Sequence, residues 1–426
     1  MKTLALVKKP NLRRLLTANF FSGIGDWFNS VAVLSLLLEV TGTAMAVGIT
    51  LALRTLPHLI FGPLGGILAD RFNRKTVLIV CDLARAVIAL SFLLISSASD
   101  VWIVYAATFL LVMFSSLYTP SRLSILPQIV SREELAAANA LDQTIYGTVM
   151  AAGSLIGGIF VAMWGNEVAF VFNSVSFLFS GWLLLRLTVP KQTEQEEKAA
   201  PVTAEQEASK EAISYRELLH MIMRTPIVLA ILLMTAMWPI GGGFFNVLIS
   251  VYAYQVFDAG KWGIGLLYGA IGAGFIVGGL IAELFHKRLY EVAALSLAIE
   301  GMAFLLTSFS PTLYVTALFY ALSTVAGGMG NACLRTLLMK HVHARNLGRV
   351  FALDETFSNV LLGLSMLAGG WILAFAEPRI VGFAAGAFVT ITSLILGRAI
   401  WVEGQTFKKK TTRCEATGVV ESPHVD

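Results

Sequence analysis

Three ionisable residues stand where the sequence offers them no water. Asp26 lies in an apolar run from about Leu15 to Val40, Arg54 in a run from Met45 to Leu68, and Glu300 in a run from Glu291 to Ser308. Each run is about as long as a bilayer crossing requires. At 1.5 Å per residue Asp26 comes roughly 16 Å along its helix, and Arg54 falls near the middle of the next. An ionisable group at that depth costs about 2.5 to 3.5 kcal/mol on insertion scales, so it is paired or faces water and is functional by default. The chemistry open to Asp26 and Arg54 is an ion pair or a proton-linked switch: protonating the acid frees the base and changes the balance between two packings. A fixed pair that never titrates is the alternative.

The elements that must hold these residues are membrane helices. The chain is 56% hydrophobic and 14% charged over 426 residues, whereas soluble chains sit near about 45–50% and 25%. Its apolar runs make roughly a dozen crossings. Cys81, Cys333 and Cys414 fit no metal or disulfide framework and read as small apolar filler. No metal or cofactor is expected, and no nucleotide-binding glycine loop appears. The first run does not read as a signal peptide, being too long for an h-region and followed by no small-residue cleavage site.

A charged hairpin organises the rest. Gly65-Gly66-Ile67-Leu68-Ala69-Asp70-Arg71-Phe72-Asn73-Arg74-Lys75 joins the second and third runs. About 213 positions later the chain writes Gly278-Gly279-Leu280-Ile281-Ala282-Glu283-Leu284-Phe285-His286-Lys287-Arg288. Arg122 and Arg335, Arg132 and Arg345, and Asp142 and Glu355 recur at the same spacing. The fold class that follows is an all-α membrane protein: twelve transmembrane helices in two six-helix bundles related by a parallel internal repeat. Residues 1–189 form the first bundle and 225–403 the second; 190–224 is a polar linker, helical near Tyr215 to Met223, and 404–426 is a tail. Lys and Arg before the first crossing, in alternate loops and after the last place both termini in the cytoplasm.

Gly66-x-x-x-Asp70-Arg71-x-x-Arg74-Lys75 resembles the signature loop of the major facilitator superfamily, the twelve-helix secondary transporters. Pro120-Ser121-Arg122-Leu-x-x-Leu126-Pro127, with Glu133-Glu134-Leu135 and Ala138-Asn139-Ala140, resembles its bacterial exporter branch, which holds the enterobactin exporter and macrolide efflux pumps. The resemblance implies an inner charge cluster that gates alternating access. Onto this chain it carries Gly66, Asp70, Arg71, Arg74, Lys75, Arg122, Glu283 and Arg335, with Asp82 and Arg85 added from one helix face. Asp70 would pair with Arg74 or with the start of the eleventh helix. Asn73 stands where the family has Gly, and as Asn it tolerates a left-handed turn. Gly153-Ser154-Leu155-Ile156-Gly157-Gly158 resembles the antiporter motif with Ser154 in place of Pro, although close packing also accounts for its glycines. Asp142, Asp354 and Glu355 read as acids at helix starts. Glu300 falls on a helix that the resemblance makes peripheral, where a structural role outweighs proton coupling.

The resemblance assigns the cavity lining to the first, fourth, seventh and tenth helices. These supply Asn29, Met113, Tyr118, Trp238, Phe244, Phe245, Asn246, Tyr320 and Asn331. Pro239 with Gly241 to Gly243 would bend the seventh. Such a lining suits a bulky, partly apolar ligand. The reading is a monomeric exporter in a bacterial inner membrane, an efflux antiporter of the multidrug-resistance kind rather than an enzyme. Its partners are a small-molecule substrate, protons and the lipid bilayer, with no nucleic acid. Two alternatives stand beside it: a proton-coupled nutrient importer, which a cavity with several charged residues would favour, and a non-transporting sensor or assembly factor.

Overall fold

The computed structural model of the protein describes residues 8–131, 134–188, 215–282, 285, 288–342 and 344–417. The first half contains α1 (Pro10–Thr41), α2 (Ala44–Leu53), α3 (His58–Arg71), α4 (Arg74–Ser91), α5 (Val101–Ile129) and α6 (Leu135–Leu185). The short α7 (Tyr215–Arg224) leads into α8 (Pro226–Val251), α9 (Gly260–Ala282), α10 (Leu289–Thr307), α11 (Leu313–His341), α12 (Ala344–Ile372) and α13 (Pro378–Thr417). No strand occurs among the described residues.

Among the described residues, 11 helical stretches are long and apolar enough to cross a membrane, α2 and α3 together making one of them. The fifth stretch, Thr144–Leu185, counts twice. It is 42 residues long, about 63 Å if straight, and the backbone leaves the helical path at Gly165 with φ 90° and ψ 171°. Only glycine adopts that conformation without strain. Twelve crossings result, and α13 therefore ends on the side where α1 begins. That side is called here the terminal side, and the opposite one the far side.

Each half packs as its own bundle. α1 lies along α6, with α4 against α5 and α6, while α8 and α10 pack on α13, and α11 on α9 and α10. The halves meet where α6 runs along α9 and α2 along α12. These seams are close because they are built from glycine. A Cβ on Gly158 would stand 2.5 Å from the Cα of Gly265, and one on Gly48 2.6 Å from the carbonyl oxygen of Met366. Small residues let membrane helices approach to backbone contact. Both contacts lie toward the far side.

Local chemistry sets the breaks. The second crossing loosens over residues 54–57, between α2 and α3, where Pro57 has no N–H to give. Asn73 does not take a left-handed turn: at φ −62° and ψ 113° it caps α4, accepting from the Thr76 N–H at 3.3 Å. Pro239 leaves α8 helical from end to end, and the irregularity comes later, as a π-turn at Tyr252–Val256. α12 starts ten residues before Asp354, and α6 seven before Asp142, so neither acid, nor Glu355, opens a helix.

Candidate functional site

Between the halves lies a cavity of about 810 Å³. α1 gives it a polar edge at helical spacing, Asn19, Ser22, Asp26 and Ser30. The second crossing adds Arg54 and His58 at its break, one helical turn apart. α4 and α5 supply Arg85, Ser115, Tyr118 and Arg122, and α6 gives Asp142 and Tyr146. The second half contributes Asn246, Tyr268, Glu355 and Met366. A side chamber of about 190 Å³ runs from Asp26 and Arg54 toward Asn29, Thr50 and Thr108.

Charge is concentrated here, and its pairing is uneven. Arg85 is bonded to Asp82, both essentially without exposed surface, and its guanidinium lies 4.4 Å from the ring centres of Tyr118 and Phe177. Ser180 donates to the second Asp82 oxygen at 2.7 Å. Arg122 meets Asp142 at 2.5 Å. Arg54 reaches neither acid: its guanidinium donates to Ser30 Oγ, and that hydroxyl donates to the Asp26 carbonyl at 2.5 Å. Among the described residues, no cation comes within 4.0 Å of the Asp26 carboxylate.

Several expected residues therefore converge on one space: Asp26, Arg54, Tyr118, Asn246, Arg85 and Arg122, with Asn29 in the side chamber. Asp82 sits in the bundle core behind Arg85, so the pair is not part of an exposed loop cluster. Others lie elsewhere. Met113 and Asn331 do not line the cavity. Phe244 packs on Gly369, and Phe245 stacks on Phe304 at 3.9 Å. Tyr320 is wholly buried with its hydroxyl 3.3 Å from the Phe245 carbonyl. Glu300 is buried in the second half, where Trp238 Nε1 donates to it at 2.8 Å. His58 and Glu355 as cavity residues were not expected; the spacing of four from Arg54 to His58 is the signal that points to the first.

The terminal-side loops hold the first half together. Lys75 Nζ donates to the carbonyls of Leu185 and Leu187, both at 2.8 Å. Arg14 donates to the Arg186 carbonyl at 2.6 Å, and Lys9 meets Glu134 at 2.5 Å. Arg74 reaches the Ser124 carbonyl at 3.4 Å. Arg71 and Arg335 are exposed, and Gly66 has open space where a Cβ would go. The Asp70 side chain and the whole of Glu283 fall outside the described residues.

On the far side the ties cross between halves. Glu39 of α1 accepts from Tyr254 Oη at 3.1 Å and stands 3.3 Å from Lys261 Nζ. Asn166, just past the Gly165 break, donates to its other oxygen at 3.0 Å. Gln255 donates to the Gly42 carbonyl at 3.1 Å. The π-turn after α8 presents both Tyr254 and Gln255, the kind of irregularity found at functional sites. The halves are thus bound at the far side.

Comparison with known proteins agrees with this architecture. The chain is 24% identical over 404 residues to the uncharacterized MFS-type transporter YfiS of Bacillus subtilis, covering 91% of this chain and 92% of that protein. It is 23% identical to the putative bacilysin exporter BacE of Bacillus subtilis over 96% and 99% of the two chains, and 20% identical to macrolide efflux protein A of Streptococcus pyogenes over 79% and 83%. A bacterial homolog of the human lysosomal transporter Spinster, solved in an inward-facing and unoccupied conformation, superposes with a TM-score of 0.69 at 14% identity, over 91% and 96% of the chains. At that identity the likeness speaks for the fold alone. The Major Facilitator Superfamily model matches residues 15–360, and with two helical bundles around one central cavity, the chain belongs to that superfamily of membrane transporters.

Proposed function

We propose that this transporter exports a small amphiphilic compound from a bacterial cytoplasm in exchange for protons, working as a monomer with both termini inside. The single observation that carries the reading is the central cavity: both halves line it, Asp26 stands within it, and the far side is tied shut. In this orientation the terminal side is cytoplasmic, so the cavity is placed to receive cargo from within. Residues 1–189 and 225–403 rock about the site with 190–224 as their linker and 404–426 as a tail, and the Gly66–Lys75 hairpin with its repeat closes the terminal side in the opposite state. The names of the macrolide and bacilysin relatives support export. A proton taken by Asp26 from outside releases cargo there and is given up inside.

Accumulation of a panel of dyes, macrolides and siderophores in cells with and without the protein tests this, with the proton gradient collapsed as control. At least one compound is expected to accumulate less in cells that carry the protein, and Asp26→Asn is expected to abolish the gradient-dependent part. Full gradient-driven export by Asp26→Asn removes the coupling role. One observation favours a second reading, proton-coupled uptake of a polar solute: the lining carries Arg54, Arg85, Arg122, Asp26, Asp142 and Glu355, far more charge than a site for an apolar drug requires. Higher accumulation in cells carrying the protein would establish that direction.

A further inference from the structure

Among the described residues, three guanidinium groups face the cavity, and two are matched by a carboxylate. Arg85 has Asp82, and Arg122 has Asp142. Among the described residues, the bonded partner of Arg54 is the neutral Ser30 hydroxyl. Guanidinium carries five donors in a planar fork that fits a carboxylate with two parallel bonds, and a single hydroxyl leaves most of that capacity unused. Asp26 is the mirror case, an acid in the same cavity with no bonded cation. The two are adjacent. Ser30, which holds Arg54, is four residues after Asp26 on α1, about 6 Å further along the helix.

The placement is imposed by the backbone. Arg54 ends α2 at the Pro57 break, which turns its side chain toward α1. Trp27 and Tyr268 stand at the same cavity, one from each half, with ring centres 5.5 Å apart. They offer an aromatic platform beside the two charges, reaching across the seam that must open and close.

We propose that Arg54 and Asp26 form a docking site for a zwitterionic cargo, its carboxylate on the Arg54 fork, its ammonium on Asp26 and its apolar body against Trp27 and Tyr268. This rests on the reading of the cavity as the cargo path and narrows the cargo class. It also gives the exchange a physical basis: the ammonium of the cargo and an incoming proton compete for one carboxylate, so binding one expels the other.

The test uses the purified full-length protein and three probes: the dipeptide phenylalanyl-phenylalanine, its N-acetyl form without the ammonium, and its C-terminal amide without the carboxylate. Binding is read by ligand-induced thermal stabilisation. The zwitterion is expected to bind at least about tenfold more tightly than either capped form, since each leaves one buried charge unmatched. Arg54→Gln should erase the discrimination against the amide and keep that against the N-acetyl form; Asp26→Asn should do the reverse. Arg54→Lys, which keeps the charge and loses the fork, should fall between wild type and Arg54→Gln. Melting of each variant without probe shows that it is folded. Equal binding of all three probes, failure of the zwitterion to bind wild type, or variants that leave the discrimination unchanged would each overturn the proposal. Transport in vesicles separates the two readings: a bound zwitterion that is never moved leaves the site and removes the transport path, whereas gradient-driven movement of a neutral amphiphile with no zwitterion binding does the opposite.

Discussion

Lys261 Nζ stands 3.3 Å from Glu39 Oε1, joining the start of α9 to the end of α1 across the two halves. Tyr254 shares that oxygen at 3.1 Å, and Asn166 takes the other at 3.0 Å. Among the described residues, no ion pair on the terminal side crosses between the halves, since Lys9–Glu134 lies within the first. Charged ties thus favour the state in which the far side is shut.

A partly exposed pair of this kind contributes a few tenths to about 1 kcal/mol, so removing it shifts the balance of states by roughly two- to fivefold. Leu37 is buried two residues before Glu39 on α1, about 3 Å below the tie, and a cysteine placed there reports opening. With Glu39→Gln, labelling of that cysteine by an impermeant maleimide from the far side should quicken by that factor. The exchanged pair, Glu39→Lys with Lys261→Glu, should bring the rate back toward wild type. An unchanged rate in Glu39→Gln would show that the glycine seams alone hold the far side.

Those seams give a second prediction. At Gly158 a Cβ would stand 2.5 Å from the Gly265 Cα, and backbone has no rotamer to yield. Gly158→Val should therefore part α6 from α9, costing about 1–3 kcal/mol of stability as overpacking does and lowering transport at least about tenfold. Gly66→Ala is the contrast, because its Cβ meets nothing within 4 Å in this state. It should melt at or above the wild-type temperature, Ala being the better helix residue. If the hairpin closes the terminal side in the other state, Gly66→Ala still loses transport despite its stability, and unimpaired transport would remove the hairpin from the gate.

The twelve crossings were legible because a bilayer forces every backbone group into a helix of set length, and the doubled hairpin wrote the two halves into the chain. Asp26 and Arg54 were legible for a related reason: charge at that depth needs water. Their relation was not. Whether Arg54 meets Asp26 or Ser30 depends on how the Pro57 break turns α2, and spacing within one helix carries no such information. Tyr320, Phe244 and Trp238 were assigned to the lining by helix, but a helix has two faces, and theirs turn to Phe245, Gly369 and Glu300. The far-side tie was the least legible part. It joins residues more than 200 positions apart, and Glu39, at the end of an apolar run, reads as an ordinary interfacial acid.

Glu134 gives a pH dependence on the terminal side. The Lys9 ammonium hydrogen-bonded to it, with the Ser131 N–H and hydroxyl, holds its carboxyl down at about 2, from an ordinary 4.5. A lowered acid contributes stability that is whole above its unfolded value and is lost as pH falls toward its folded one. Between pH 4.5 and 2 this tie between the chain start and the loop before α6 therefore weakens. Thermal unfolding followed by tryptophan fluorescence should show Glu134→Gln melting below wild type at pH 6 and converging on it near pH 2. Parallel curves at all pH values would mean that the pair contributes nothing to the folded state.

The pair Asp82–Arg85 tests the opposite regime, because Asp82 has no exposed surface and Arg85 only a sliver at the cavity wall. Arg85→Met keeps much of the side-chain volume between the Tyr118 and Phe177 rings but leaves the Asp82 carboxylate with Ser180 as its remaining bonded partner. Breaking a buried pair by removing one member costs roughly 3–5 kcal/mol, because the surviving charge keeps its desolvation and loses its counter-charge. Arg85→Met should accordingly melt far below wild type, read by exposure of the buried Cys81 to a thiol-reactive dye. Adding Asp82→Asn removes the stranded charge, so the double variant should recover more than half of the loss. Transport should not recover with it, since Arg85 also faces the cavity. A double variant no more stable than Arg85→Met would place the cost in the lost stacking of the guanidinium on Tyr118 and Phe177, not in the buried carboxylate.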